Sequence, residues 1–145
     1  MVTMYIGGGL ANKMFQYAFS LAIKKKGYDV VYDTITFKTE FVHDRVELDD
    51  IFPNVNMNKI SKSDYWAAGK QSKLARLVKR ISPKYITEHA YLFNDKVWEQ
   101  LKTTCYLESS WQDENYFVSA ADEVRQAFVF PPFEDERNVE VAKAM

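Results

Sequence analysis

Apolar positions along the chain change period twice before residue 35, and those changes predict the first elements. Val2 to Ile6 is a short apolar run that ends on Gly7-Gly8-Gly9, the pattern of a buried parallel strand meeting a turn. From Asn12 to Lys26 the period becomes helical: Met14/Phe15, Ala18/Phe19 and Ala22/Ile23 recur on one face, with no proline inside. Asn12 is the expected N-cap and Gly27 the expected stop. Tyr28 to Tyr32 is β-prone again and ends on Asp33. Strand, glycine loop, helix and strand make a βαβ unit, whose crossover is right-handed in nearly all cases. Both the glycines and Asp33 then fall at strand carboxyl ends, where open α/β sheets bind ligands.

Further on the pattern is less regular. Asp49 to Asn54 reads as a short turn closed by Pro53. Ser61 to Ile81 is a long helical candidate whose stripe of Leu74, Leu77, Val78 and Ile81 is surrounded by Lys70, Lys73, Arg76, Lys79 and Arg80. After Pro83 and an irregular stretch, Asn94 to Leu101 forms a helix capped by Asn94 with Val97, Trp98 and Leu101 inward, and Thr103 to Leu107 a buried strand. Phe117, Ala121, Val124 and Phe128 share a helical face that stops at Pro131-Pro132, and another helix begins near Asn138.

The 145 residues, 47% hydrophobic and 27% charged with a net charge of −1, describe one globular domain with no basic excess for nucleic acid. Cys105 stands alone, so it can form no internal disulfide and reads as a buried thiol in a reducing, cytoplasmic setting. No apolar run is long enough to span a bilayer, and no basic-then-apolar leader opens the chain. The basic helix from Lys70 to Arg80 has the composition to lie peripherally on the anionic inner face of a membrane, although a solvated face is the commoner outcome. His43 and His89 have no Cys or second His at ligand spacing, so no metal site is expected.

The chemistry concentrates in the glycine loop. A helix N-terminus presents unpaired N–H donors and a partial positive charge, and glycines let the main chain approach a bound group, so a diphosphate is a natural guest there. Lys13 could add a point charge, or simply sit solvated on the first helical turn. A dinucleotide fingerprint is a rival reading of the same loop, with Asp33 near the place of its ribose-binding acid, but Asn12 occupies the third glycine's position.

Two segments also resemble a known family. Gly8-Gly9-Leu10-Ala11-Asn12-Lys13-Met14-Phe15-Gln16-Tyr17-Ala18 is similar to the opening motif of the bacterial α-1,2-fucosyltransferases, glycosyltransferase family eleven, departing from it at Ala11 and Lys13. Tyr106-Leu107-Glu108-Ser109-Ser110-Trp111-Gln112-Asp113-Glu114-Asn115-Tyr116-Phe117 resembles that family's second segment, departing at Ser109, Ser110 and Asp113. The run Val124 to Phe130 continues the likeness.

The resemblance implies an α/β fold, a Rossmann-like parallel sheet with flanking helices forming the N-terminal, acceptor-side half of a GT-B glycosyltransferase over residues 1–133. Residues 134–145 would begin the connection to a donor-binding half. It implies metal-independent, inverting transfer of fucose from GDP-fucose to a galactoside, with no cofactor. Gly8, Gly9 and Asn12 would edge the diphosphate, and Lys13, Trp111, Gln112 and Glu114 would reach the cleft or acceptor; the resemblance names no catalytic base. Trp111, Gln112 and Glu114 sit at a strand-to-helix junction, from which side chains commonly reach a cleft, though Glu114 also suits a first helical turn. The family's His-x-Arg-x-Gly-Asp motif has no counterpart, since none of Arg45, Arg76, Arg80, Arg125 and Arg137 is followed by Gly-Asp. Little or no transferase activity of the chain alone is therefore expected, and a non-catalytic carbohydrate-binding or interaction module is the alternative from another class.

Overall fold

Among the described residues four short strands, all parallel, form one sheet. The computed structural model describes residues 1–35, 46–61, 85–88, 92–101, 104–132 and 134–144. Strand β1 (Val2–Tyr5) leads through the glycine loop into α1 (Leu10–Lys25), which returns to β2 (Val30–Asp33). There follow a helical turn α2 (Leu48–Ile51), strand β3 (Tyr85–Ile86), helix α3 (Lys96–Gln100) and strand β4 (Cys105–Leu107). Two 3-10 turns (Glu114–Tyr116 and Val118–Ala120), then α4 (Ala121–Ala127) and α5 (Glu136–Ala144), complete the order. The sheet runs β2-β1-β4-β3, with Val2 opposite both Val30 and Cys105. This is an α/β fold, and the βαβ unit read from the first 33 residues is present with its strands parallel.

Alternation along β1 places Val2, Met4 and Ile6 in the core while Thr3 and Tyr5 stay half-buried. Helix α1 adds Phe19, Ala22 and Ile23 to that core, and Phe19 lies within 4.9–5.3 Å of the rings of Trp98, Trp111 and Tyr116. Rings at these separations in tilted and edge-on arrangements gain attraction beyond their buried area. Tyr17 stacks on Tyr32 of β2 at 5.6 Å, and Ser20 Oγ lies 2.8 Å from the Tyr32 hydroxyl. Burial pushes the Tyr32 phenol up to about 12.

The end of α1 follows the sequence closely. Gly27 takes φ +88°, donates its N–H to the Lys24 carbonyl, and lets Tyr28 N–H reach the Ile23 carbonyl. These paired bonds form a Schellman motif, which needs the left-handed residue glycine supplies.

The start of α1 does not follow it. The cap is Gly9, in extended backbone, and no side chain caps the helix. Asn12 lies in the first turn, so its side chain is released for another contact. Asp49 to Asn54, expected as a turn, overlaps the one-turn helix α2, whose start is capped by a Glu47–Asp50 capping box. The irregular stretch after Pro83 contains β3, whose two residues are too few to show a period. The face from Phe117 to Phe128 is divided between a 3-10 turn and α4. Helix α3 carries Val97 inward as expected and Leu101 is buried at its C-cap, but the N-cap is Asp95 rather than Asn94, whose Oδ1 accepts from Lys96 N–H; Cys105 is a buried free thiol.

The Lys70 to Arg80 helix, His43 and His89 lie outside the described residues. Among the described residues no helix is long and apolar enough to cross a membrane.

Candidate functional site at the carboxyl ends of the central strands

The two centre strands, β1 and β4, end side by side, and α1 carries the side chain that joins their loops. Gln16 is 2% exposed; its Oε1 accepts the Gly7 N–H at 2.8 Å and its Nε2 donates to the Ser109 carbonyl at 3.0 Å. An amide that both accepts and donates is the residue type that can satisfy a main-chain donor and a main-chain acceptor at once. Gly7 therefore turns its N–H inward, away from any guest. The side chain of Tyr5 fills the space above it, and a Cβ on Gly7 would meet the Tyr5 hydroxyl at 2.2 Å.

Gly8 and Gly9 form the outer lip. Gly8 adopts φ +84°, which favours glycine, and a Cβ there would lie 2.9 Å from Asn12 Nδ2, so a side chain would also have to displace the Asn12 amide. Among the described residues nothing lies within 4 Å of the Cβ direction of Gly9, which opens outward beside the first turn of α1, where no side chain caps the helix. Asn12 Oδ1 accepts from Gln112 Nε2 at 2.8 Å. That bond fixes the amide's orientation and leaves Nδ2, a donor, on the Gly8 side. Gly8, Gly9, Asn12 and Gln112 are thus brought together.

The other sequence-derived site residues fall elsewhere. Lys13 is 3% exposed rather than solvated, because its Nζ donates to the Val46 carbonyl at 2.6 Å across 33 residues of sequence. Trp111 is fully buried and does not reach a cleft: its indole packs on Phe19 and Tyr116 at 4.9 and 5.3 Å. Glu114 is exposed in the first 3-10 turn, where Asp113 caps by accepting from Asn115 N–H at 2.9 Å. Hydrogen bonds from Asn115 hold the Asp113 carboxyl below its ordinary range. Asp33, the acid of the dinucleotide reading, is fully buried, with Oδ2 accepting from the Tyr106 hydroxyl at 2.7 Å and Oδ1 from Ile35 N–H at 3.0 Å. Tyr106 reaches it from β4, a partner that sequence distance conceals.

Glu88 is the residue that sequence reasoning missed. It follows β3 by two positions and is 7% exposed, with Oε2 accepting the Trp111 N–H at 3.0 Å and the Ser109 hydroxyl at 3.3 Å. Burial raises its carboxyl above the ordinary value, and the Trp111 N–H and Ser109 hydroxyl offset this only in part. Trp111, whose amide it holds, is the one non-glycine among the described residues with positive φ, 53°. Left-handed backbone costs a residue with a side chain about 1–2 kcal/mol, so it persists where its surroundings impose it. The signal in the sequence was a lone acid directly after the β-prone Tyr85-Ile86-Thr87.

Among the described residues no group of three or more His, Cys, Asp or Glu side chains is placed to hold a metal ion. The polar groups that the described residues bring to this edge are main-chain amides, the amides of Asn12 and Gln112, and a helix terminus, a donor-rich set suited to an anionic oxygen. No family model, curated protein or solved structure matches this chain.

Proposed function

We propose that this chain supplies the N-terminal, acceptor-side part of a GT-B fucosyltransferase resembling glycosyltransferase family eleven, with the Gly8–Asn12 edge receiving the diphosphate of GDP-fucose. The observation that carries this reading is the 2.8 Å hydrogen bond from Gln112 to Asn12. It joins the two segments that resemble the family, a hundred residues apart, at the carboxyl ends of neighbouring parallel strands.

In this reading the Gly9 side of the loop admits the diphosphate against the first turn of α1, and Asn12 Nδ2 donates to one of its oxygens. Such a bond to a charged oxygen contributes about 1.5–3 kcal/mol. Fucose transfer develops negative charge on the departing diphosphate, and donors held in place before the reaction stabilise it. The cation that the resembled family brings through its His-x-Arg-x-Gly-Asp motif has no counterpart in these 145 residues. This chain alone is therefore expected to bind GDP without sustaining transfer to a galactoside. The dinucleotide alternative is disfavoured, because Asp33 is committed to Tyr106 and to the Ile35 amide.

Calorimetric titration tests the reading. The wild-type chain is expected to bind GDP without added metal, and Asn12→Ala to bind it at least about 10-fold more weakly, the lower end of the bond's contribution. GDP binding that is absent, or unchanged in Asn12→Ala, refutes the assignment. Affinity for a galactoside disaccharide without affinity for GDP would favour a carbohydrate-binding module instead.

A further inference from the structure

The Ser109–Gln112 turn is held from two sides. Gln16 Nε2 grips the Ser109 carbonyl, and Glu88 Oε2 grips the Ser109 hydroxyl and the Trp111 N–H. Between these contacts Trp111 takes its left-handed backbone, and the next residue, Gln112, sends its side chain to Asn12. Packing of the indole against Phe19 and Tyr116 fixes where the ring lies. It does not fix where the Trp111 amide points, because the ring can keep its place while the peptide before it rotates. Among the described residues it is the Glu88 carboxylate that accepts that N–H.

The other carboxylate oxygen, Oε1, is buried with no hydrogen-bond partner among the described residues, so burying this group is not explained by its own satisfaction there. A buried acid left half-satisfied is costly to keep, and a strained backbone held by it is a place where strain serves a site.

We propose that Glu88 is a positioning residue for the candidate site: by accepting from Ser109 and Trp111 it holds the turn after β4 in its left-handed form, and so keeps Gln112 against Asn12. The proposal rests on the diphosphate reading only for its effect on ligand affinity; the effect on the turn stands without it. A hydrogen-bonded route then crosses the carboxyl ends of three strands, from Glu88 after β3, through Ser109 after β4 and Gln16, to Gly7 after β1.

Glu88→Gln keeps an acceptor oxygen and Glu88→Met keeps the bulk without one, so the pair separates hydrogen bonding from packing. Nitrogen-resolved NMR spectra of the full chain, with amide hydrogen exchange, read the result. Glu88→Gln is expected to keep the Trp111 amide protected and the Gln112 side-chain amide at its wild-type shift. Glu88→Met is expected to speed Trp111 exchange at least about 10-fold, the factor for loss of one hydrogen bond, and to move the Gln112 signal, while Val30 and Tyr32 in β2 stay protected. Equal behaviour of the two variants overturns the proposal.

Should Glu88→Met fail to fold, the wild-type chain reads the same claim: the Trp111 amide shift must follow the Glu88 carboxyl carbon through its titration. Asp113 and Tyr116, the other titratable groups acting on Glu88, ionise on either side of that range, Asp113 below and Tyr116 at about 12. A Trp111 amide that ignores the Glu88 titration also overturns the proposal. GDP titration separates the two readings. If no variant and not the wild type binds GDP, the diphosphate reading fails and the spectra still decide the role of Glu88. If GDP binds wild type and Glu88→Met equally although Trp111 protection is lost, the positioning role fails.

Discussion

Replacing Gln16 by methionine removes both bonds that tie the loop after β1 to the loop after β4 while keeping most of the side-chain volume. Gly7 N–H is buried and would lose its acceptor, and the half-buried Ser109 carbonyl would lose its donor. Leaving a buried polar group unsatisfied costs about 1–3 kcal/mol, and a half-exposed carbonyl that water can reach lies at the lower end, so the sum is about 2–4 kcal/mol. For a domain of this size each kcal/mol lowers the melting temperature by about 2–4 °C, giving a fall of roughly 4–16 °C. Urea and thermal unfolding followed by far-ultraviolet circular dichroism measure it, with exposed Gln100→Met as the control. Gln16→Glu is expected to be at least as damaging, because it keeps the acceptor for Gly7, loses the donor for Ser109 and buries a charge. A Gln16→Met chain within about 0.5 kcal/mol of wild type, the range ordinary for surface changes, would refute the idea that this amide holds the two loops together.

Two further outcomes follow from the same edge. Gly8→Ala must adopt φ +84° with its Cβ 2.9 Å from Asn12 Nδ2, so it is expected to lose about 1–2 kcal/mol in urea unfolding, whereas Gly9→Ala, open on that side, loses less; equal losses would contradict the loop geometry. Burial holds the Glu88 carboxyl above its ordinary value of 4.5, so over that window the folded state keeps a proton the unfolded state has released, and stability contributed by this group falls as pH rises through it. Glu88→Gln removes the titration, so the stability difference, variant minus wild type, is expected to rise from pH 4.5 toward neutral and then level off; a difference flat in pH would count against the raised carboxyl.

The sequence was most informative where local rules act alone. Helix α1 was legible because its apolar period is unbroken and Gly27 stops it, and β1 because an apolar run ends on glycines. Asn12 misled because it is a good cap by type, but Gly9 already supplies the extended backbone the cap position needs, and no rule of sequence says which side chain waits for Asn12 a hundred residues on. The burial of Lys13 and of Asp33 was hidden for the same reason. Their partners, the Val46 carbonyl and the Tyr106 hydroxyl, come from distant parts of the chain, and only tertiary structure makes their burial tolerable. Trp111 was placed at the correct junction, yet an indole that fits against Phe19 and Tyr116 gains more from the core than from an open cleft. Strand β3 and Glu88 escaped because two residues carry no period and one acid carries no spacing.

Strand β2 is the last of the named strands on its side of the sheet, yet its main chain is not bare. Tyr32 N–H reaches the Asn58 carbonyl and Ile60 N–H reaches the Tyr32 carbonyl, both at 2.9 Å, so the segment through Lys59 runs alongside as a one-bridge rail. An open row of amides is a template onto which other chains add. With Tyr32 already spoken for, a neighbouring molecule can extend the sheet past β2 only by first peeling this rail away.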